Sequence, residues 1–348
     1  MKRVVTIKDI AQVAKVSATA VSMALNNRSG VSERTRKRIL RIAKKLEYHP
    51  NYVAKSLISK RSYTIGLIIN NIADPFYPEL ALGVEKKAAE FGYSLLVSNI
   101  GGSLENEKQA LATLRARGVD GVIIATATVD DPNIKVLADD RFPFVLVNRF
   151  SLDPALKNKM DYVVLDNYAC GYQAVEHLYR LGHHRIAILT GLLKVSTASM
   201  RTKAAIQALN DLGMDTDPKL VVECDYVPEN AYRAAKRLLG TKDRPTAFFA
   251  QDDYMAIAVR EAILTQNLRV PEDIALVGVD DIEMASISGV DLTTVSQNIY
   301  QMGTTGTDIL IHKIERAAFD SGMVNQVIME SRLILRKSCG YQLKGYVR

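Results

Sequence analysis

The sequence predicts a two-part fold, with a small α-helical head that contains a helix-turn-helix and an α/β body of two doubly wound parallel-sheet lobes. Charge divides the chain in the same way: residues 1–62 hold 15 Lys and Arg against 3 acids, a net +12, and the rest carries −5. Apolar residues recur at helical spacing in the head, whereas short β-rich runs alternate with helical periods in the body. These three observations together predict the fold class.

The first predicted helix begins after Thr6, whose hydroxyl can cap it. Four apolar residues at positions i, i+3, i+4 and i+7 form one face of this helix, namely Ile7, Ile10, Ala11 and Ala14. A periodic stripe of this kind is typical of an ordered helix and not of a solvated basic tail.

A second helix is expected after a break at Lys15-Val16, with Ser17 as its cap. Its inward-facing residues are Val21, Ala24 and Leu25, and its outward-facing residues are Ala18, Thr19, Ser22 and Met23. A third helix is expected to begin near Ser32 and to carry a basic face made of Arg34, Arg38, Arg41 and Lys45. Such a trio predicts a helix-turn-helix bundle whose second helix enters the major groove of DNA. The competing interpretation is a three-helix bundle with a solvated basic face.

The body begins near Tyr63 with alternating strand and helix patterns. The first set comprises residues 65–69, 80–91, 95–97, 105–115 and 122–125, and the second comprises residues 185–189, 201–212, 231–239, 247–250, 254–266 and 274–279. Alternation of this kind indicates parallel sheets with crossover helices. The expected binding site lies at the carboxyl ends of the strands or between the lobes.

The head resembles the DNA-binding head of the lactose/galactose repressor (LacI/GalR) family. The resemblance lies in TIKDIAQVAKVSATAVSMALNN, VSERTRKRI and LEYHPNYVAKSL, and it continues to about residue 337. It implies a sequence-specific transcriptional regulator, in particular a repressor, with operator DNA and a small-molecule effector as partners. The implied DNA-contacting residues are Thr6, Ser17, Ala18, Thr19, Ser22, Met23, Asn26, Arg28, Tyr52, Ala54, Lys55 and Leu57.

The base-reading positions on the second helix are unusual, because the resemblance assigns them to Ala18, Thr19 and Met23. None of the three can form the bidentate purine contacts of Arg, Asn or Gln, so phosphate contacts and DNA shape should contribute more of the specificity.

The segment from Asn51 to Leu57 resembles the hinge helix of the family, in which a leucine wedges into the minor groove; here that leucine is Leu57. Seven residues are too few for a helix that is stable alone in water. Hinge formation should therefore depend on DNA and on the partner subunit. The competing role for Leu57 is an ordinary anchor that packs the linker onto the body.

The predicted domains are a DNA-binding domain at 1–50, a hinge helix and linker at 51–62, and an effector-binding and dimerisation domain at 63–340. In the body the resemblance lies in DPFY at 74–77, in residues 164–171, in LGH at 181–183, in residues 269–281 and in LTTV at 292–295. It implies the fold of periplasmic sugar-binding proteins, with three crossings between the lobes.

The implied effector is a sugar or sugar derivative in the cleft. Its implied site residues are Phe76, Tyr77, Asn148, Arg149, Thr197, Arg201, Tyr226, Asp252 and Asp280. Arg201 and Asp280 could bind hydroxyl groups, and Tyr77 could face the C–H side of a sugar ring. The competing roles are a surface ion pair for Arg201 and a helix cap or loop turn for Asp280. Val195 stands where the purine-sensing relative has a base-reading arginine, which disfavours a purine.

An enzyme would need a catalytic constellation, and the sequence contains no GxGxxG, GxxxxGK[ST], GxSxG or HExxH. The three cysteines at 170, 224 and 339 lack metal or disulfide spacing, so no cofactor and no metal site are expected. A solute-binding module without a regulatory role remains the alternative; it would share the body but would need a signal peptide and no basic head.

The N-terminus turns polar too early for a signal peptide, so a cytoplasmic protein without a membrane partner is expected. Residues 336–348 contain a single leucine and cannot form a heptad zipper, so the expected assembly is a homodimer and not a tetramer.

Overall fold

The computed structural model describes residues 5–25, 29–48, 61–214, 216–316 and 323–343. The chain divides into two compact units, Met1–Ser62 and Tyr63–Arg348. Within the described ranges no helix is long and apolar enough to cross a membrane.

In its described residues, 5–25, 29–48 and 61–62, the first unit is a bundle of three helices. They are α1 (Ile7–Ala14), α2 (Ala18–Leu25) and α3 (Glu33–Lys45). Thr6 caps α1 in a reciprocal capping box, in which the Asp9 carboxylate accepts a 2.7 Å hydrogen bond from the Thr6 backbone N–H. The hydroxyl of Ser17 accepts from the N–H of Ala20 at 3.1 Å, and Ser32 caps α3. The predicted starts of all three helices are confirmed.

The core of this unit receives one large aliphatic side chain from each helix. Ile10, Val21 and Ile39 have no exposed surface, and small residues such as Ala14 and Ala24 fill the space between them. Burial of each large side chain contributes about 1.5–3 kcal/mol. The apolar stripe predicted for α1 is the face that packs here, although Ile7 itself is only half-buried.

The second unit has two α/β lobes. The strands of the N-terminal lobe are β1 (Thr64–Ile69), β2 (Ser94–Asn99), β3 (Gly121–Ile124), β4 (Phe144–Val147), β5 (Asp161–Leu165) and β11 (Gln326–Met329). Its helices are α4 (Phe76–Glu90), α5 (Leu104–Ala116), α6 (Pro132–Asp139) and α11 (Ile299–Arg316). The strands pair in the order β11-β5-β4-β3-β1-β2, all parallel. The central strands β3 and β4 are buried throughout, as expected for a parallel sheet covered on both faces.

The strands of the C-terminal lobe are β6 (Ile186–Thr190), β7 (Val221–Glu223), β8 (Ala247–Ala250), β9 (Ala275–Asp280), β10 (Thr293–Ser296) and β12 (Arg332–Ile334). Its helices are α7 (Asn167–Arg180), α8 (Ser196–Asp211), α9 (Pro228–Leu239) and α10 (Asp253–Leu264). The strand order is β12-β10-β9-β8-β6-β7, with only the edge strand β12 antiparallel to its neighbour. The predicted doubly wound fold is confirmed.

The chain crosses between the lobes three times, as the resemblance implied. The crossings follow β5, β10 and β11. Two of them touch, since the N–H of Asp166 donates to the carbonyl of Met329 at 2.8 Å. Because β5 pairs with β11 and β10 pairs with β12, the crossings gather at the same edge of each sheet.

Candidate functional site

A cavity of about 360 Å³ lies between the two lobes of the second unit. Most of its polar residues stand just after the carboxyl ends of strands or at the first turn of a helix, which is where open α/β sheets bind ligands. All nine residues that the resemblance assigned to the effector line it: Phe76, Tyr77, Asn148, Arg149, Thr197, Arg201, Tyr226, Asp252 and Asp280. Whether each one binds the effector stays a prediction.

Arg201 is the largest fully buried side chain of the cavity wall, with 2% of its surface exposed. Its Nε donates to Asn167 Oδ1 at 2.8 Å, and its Nη1 donates to the carbonyl of Gln251 at 2.6 Å. Both acceptors are neutral, and no ion pair of Arg201 exists within the described residues. The interpretation of Arg201 as one half of a surface ion pair is therefore wrong.

Tyr226 brings an aromatic ring to the cavity from the C-terminal lobe. Its hydroxyl lies 3.0 Å from that of Thr197, and its ring packs on Gly191, where a Cβ would come within 2.0 Å of the ring. The guanidinium of Arg149, from the opposite lobe, lies 5.5 Å from the ring centre. This cation–π contact joins the lobes across the cleft.

The N-terminal lobe contributes a pair of aromatic rings at the start of α4. Phe76 and Tyr77 are buried, with ring centres 5.2 Å apart and nearly perpendicular planes. Burial raises the pKa of Tyr77 to about 12, so its hydroxyl stays protonated near neutral pH. The pair gives this side of the cavity an apolar surface with one polar end.

Two adjacent carboxylates diverge at the start of α10. Asp252 caps α10 by accepting from the N–H of Met255 at 2.5 Å and lines the cavity. Asp253 instead accepts from the hydroxyl of Thr294 and from two backbone N–H groups after β9. Asp253 therefore fixes the β9–β10 region and does not line the cavity.

Asp280 is the last residue of β9 and caps no helix. Its carboxylate accepts a hydrogen bond from the side-chain amide of Gln297, and burial raises its pKa to about 7 although Arg201 opposes the shift. Its φ is 124°, a region that residues other than glycine rarely occupy. Asp225 and Tyr226 also have positive φ, at 57° and 56°. Backbone strain of this kind is concentrated at binding sites.

The structure adds cavity residues that the sequence analysis did not assign. Asp74 and Gln297 line the cavity, and so does Glu107 from α5. Asp74 belongs to the DPFY run at 74–77, so its position was available in the sequence. Nothing in the local pattern indicated Gln297 or Glu107, since their partners are distant in sequence.

Four polar side-chain atoms of the cavity residues are buried without a hydrogen-bond partner among the described residues. They are Asn148 Oδ1, Arg149 Nε, Arg201 Nη2 and Gln297 Oε1. Such atoms are costly unless something pairs with them. Two are acceptors and two are donors, so a ligand that fits must offer both kinds of group.

The head presents a separate surface on α2. Ala18 and Thr19 are exposed, and Ser22 and Met23 are half-buried beside them. Thr6 and Ser17 stand at the starts of α1 and α2, where free backbone N–H groups can meet phosphates. The remaining residues expected to contact DNA lie outside the described residues: Asn26, Arg28, Tyr52, Ala54, Lys55 and Leu57.

The described cysteines and acidic residues do not cluster as metal ligands. Cys170, Cys224 and Cys339 are buried free thiols. Across the described ranges, no group of three or more His, Cys, Asp or Glu side chains could hold a metal ion.

Fold and site together define a class: a small helix-turn-helix unit followed along the chain by a two-lobed, periplasmic-binding-protein-like ligand-binding unit. A family model described as "Bacterial regulatory proteins, lacI family" matches residues 6–51. A second, described as "Periplasmic binding proteins and sugar binding domain of LacI family", matches residues 62–332. The chain belongs to the LacI family.

Its relatives agree with this assignment over nearly the whole chain. The HTH-type transcriptional repressor PurR of Aliivibrio salmonicida (strain LFI1238) is 32% identical over 339 residues, 96% of this chain and 98% of the relative. The HTH-type transcriptional regulator DegA of Bacillus subtilis (strain 168) is 33% identical over 301 residues, 86% of this chain and 88% of the relative. The chain is thus similar to transcriptional regulators.

Solved structures agree as well. The lac repressor dimer bound to operator and the anti-inducer ONPF superposes with a TM-score of 0.83 at 28% identity, covering 97% of this chain and 99% of that one. The transcriptional regulator CelR–cellobiose complex gives a TM-score of 0.72 at 29% identity, with 96% and 99% covered. The chain is a LacI-family transcriptional regulator with a DNA-binding head and a ligand-binding domain.

Proposed function

We propose that this regulator is a repressor that binds operator DNA as a homodimer and is controlled by a sugar or sugar derivative bound between its lobes. The observation that carries the proposal is the cavity, where unpartnered donors and acceptors from both lobes face one space. The proposed domains are a DNA-reading head at 1–50, a hinge and linker at 51–62, and an effector-binding and dimerisation domain at 63–340. The proposed place of action is the cytoplasm, because operator DNA lies there.

The chemistry of the cavity supports a ligand rich in hydroxyl groups. Asp252 and Asp280 offer carboxylate acceptors, and Arg201 offers a guanidinium donor. The rings of Tyr77 and Tyr226 can face the C–H side of a sugar. The description of the body's family model as a sugar-binding domain, and the cellobiose complex of a structural neighbour, support the same class.

A purine is the competing effector. Relatives named PurR are 30–32% identical to this chain. Against a purine stands Val195, which lines the cavity with 1% of its surface exposed and has no donor or acceptor for a base edge. The same cavity has several charged groups beyond those that a planar base could pair. A sugar therefore fits the site better.

For the head, we propose that α2 enters the major groove and that Ala18, Thr19, Ser22 and Met23 face the bases. Their side chains offer hydroxyls and apolar contacts but no bidentate group, so base contacts alone should discriminate weakly. Thr6 and Ser17 are assigned to phosphates, as are Asn26 and Arg28 from the sequence. Tyr52, Ala54, Lys55 and Leu57 are assigned to the hinge contact with the minor groove.

The experiment is a binding selection on random DNA with the full chain, followed by footprinting. We expect a pseudo-palindrome with two symmetric half-sites, because a two-fold dimer presents two reading helices. Light scattering on the same sample should give the mass of a dimer. An asymmetric single site, no preference over random DNA, or a stable tetramer would contradict the respective part of the proposal.

A second experiment tests the effector by titrating sugars, sugar derivatives and purines into the complex of the full chain with operator DNA. Either release or strengthening of DNA binding by a sugar supports control through the cavity. Arg201→Ala is the matched variant, which should bind the operator normally but not respond. A response to purines alone would replace the proposed effector class.

A further inference from the structure

The cavity holds more acidic than basic side chains. Five carboxyl groups line it against two guanidinium groups: Asp74, Glu107, Asp225, Asp252 and Asp280 against Arg149 and Arg201. Glu107 already has hydrogen-bond partners in the N-terminal lobe, since it accepts hydrogen bonds from the side chains of Thr126 and Asn133. Asp225 is exposed at the rim. The other three carboxyl groups, those of Asp74, Asp252 and Asp280, line the interior of the cavity.

These three carboxyl groups come from both lobes and act on one another. Asp74 lies in the N-terminal lobe, whereas Asp252 and Asp280 lie in the C-terminal lobe, where they are 5% and 6% exposed. Burial, followed by repulsion from Asp280 and Asp74, raises the pKa of Asp252 well above its ordinary value. All three residues line the same cavity, so their carboxyl groups face one space.

Within the described residues, the two guanidinium groups of the cavity do not pair closely with these three carboxyl groups. Arg201 uses Nε and Nη1 on neutral acceptors, and in the described residues neither it nor Arg149 forms an ion pair with a carboxylate. An excess of one sign of charge in a cleft with walls of low dielectric favours a ligand of the opposite sign. Burial raises the pKa of Asp252 and of Asp280, and a bound cation would stabilise the ionised form of both carboxyl groups.

Unpartnered acceptors in the same cavity point to donors on the ligand. Gln297 is 2% exposed and Asn148 is 7% exposed, and each presents a side-chain oxygen with no donor among the described residues. The orientation of Gln297 follows from its partner, because its NH₂ donates to the Asp280 carboxylate. An ammonium group supplies three donors together with a positive charge.

We infer that the effector carries a protonated amine as well as hydroxyl groups, as an amino sugar does, and that this amine binds among Asp74, Asp252 and Asp280. The inference rests on the proposed function, since it names the chemical class within that same site. An amine in this position contacts carboxylates of both lobes. Its binding therefore favours approach of the lobes.

The test compares matched ligands on the full-length chain by thermal shift and calorimetry at pH 7. Each set contains a sugar, its amine and its N-acetyl derivative: glucose, glucosamine and N-acetylglucosamine, and the galactose and mannose series. We expect at least one amine to raise the melting temperature and to bind at least tenfold more tightly than both neutral members of its set. A neutral member that binds as tightly, or the failure of every amine to bind, overturns the inference.

Carboxamide variants locate the amine. Asp252→Asn keeps a side-chain oxygen that can cap α10, and Asp280→Asn preserves shape, so both should fold with melting temperatures close to that of the parent. Each should weaken amine binding at least tenfold, whereas Asp217→Asn, a carboxylate outside the cavity, should leave it unchanged. Unchanged amine affinity in both cavity variants overturns the assigned position.

The outcome also separates this inference from the proposed function. If a neutral sugar binds and alters operator affinity, the regulator stands as proposed and only the amine is wrong. If purines alone bind, the sugar effector itself is wrong, and the amine inference falls with it.

Discussion

Gly171 lies directly against the backbone of Arg201. A Cβ at position 171 would come within 2.2 Å of the Arg201 carbonyl oxygen, so only glycine lets α7 pack this closely on α8. The Nε of Arg201 bonds to Asn167, at the start of the same α7. Close helix packing and the position of the buried guanidinium therefore depend on one another.

Gly171→Ala should lower the free energy of unfolding by about 1–3 kcal/mol or more, because the added methyl forces the helices apart. It should also weaken effector binding by displacing Arg201. Denaturant titration and calorimetry measure the two effects. Gly240→Ala is the control, since its Cβ would meet neighbours at an ordinary 3.6 Å. Equal stability of both variants would contradict the packing argument.

Arg201→Ala and Asp280→Ala should abolish the effector response and leave operator recognition intact, because the cavity residues and the head serve different contacts. Loss of a charged hydrogen-bond partner costs about 1.5–3 kcal/mol, at least tenfold in affinity. Calorimetry with the identified effector, beside thermal melts, checks this. Unchanged affinity in both variants removes these residues from the site, and general unfolding assigns them a structural role.

Stability should depend on pH through Glu107. Burial, with repulsion from Asp131, raises its pKa to about 7 in the folded chain, above its ordinary value. Because the pKa of Glu107 is higher in the folded chain than in the unfolded chain, the protonated carboxyl group stabilises the fold. This stabilisation is complete below the pKa of the unfolded chain and is lost as pH rises through about 7. Glu107→Gln should therefore reduce the fall in the free energy of unfolding between pH 5 and 8 by an amount on the order of 1–3 kcal/mol.

Melts of the two proteins across this range measure the difference. Glu105→Gln, at an exposed position of the same helix, is the matched control and should keep the parent's slope. An identical pH profile for Glu107→Gln and the parent would show that Glu107 is ionised at neutral pH.

Affinity for DNA should fall steeply with salt because residues 1–62 carry a net +12. Arg38 and Arg41 are exposed on α3, and replacing either with Ala should reduce the salt slope by about 1 if it contacts a phosphate. Lys135→Ala, in the body, serves as the control. A slope that neither arginine variant changes would place the DNA on another face of the head.

Leu57→Ala should weaken specific operator binding by about 1–3 kcal/mol and barely change non-specific affinity, because a wedge acts only where a base step opens. Leu57 lies outside the described residues, so this expectation rests on the sequence. Binding to operator and to random DNA at one salt concentration measures both quantities. Equal losses on the two DNAs, or no loss on either, would make Leu57 a linker anchor.

Periodicity and capping residues predicted the three helices of the head and the alternation within each lobe, because those signals are local. They could not assign α11 or β11 to the N-terminal lobe, since membership of a sheet depends on pairing across the whole chain. Some site residues could likewise be identified from the sequence, whereas others are recognised only from their contacts in the folded chain. Asp280 was found through the resemblance, whereas Gln297 gains its role only by approaching Asp280 in space. Glu107 fits a helical period, and only contacts with Thr126 and Asn133 make it a buried acid.

The three crossings at one edge of the two sheets restrict how the lobes can move. Segments fastened side by side, as the bond between Asp166 and Met329 fastens two of them, oppose sliding and permit swinging about that edge. Displacement then grows with distance from the axis, so a small closing angle at the cavity becomes a larger excursion at the far rim. Closure of the lobes about this edge should change the radius of gyration, which small-angle scattering with and without effector can measure.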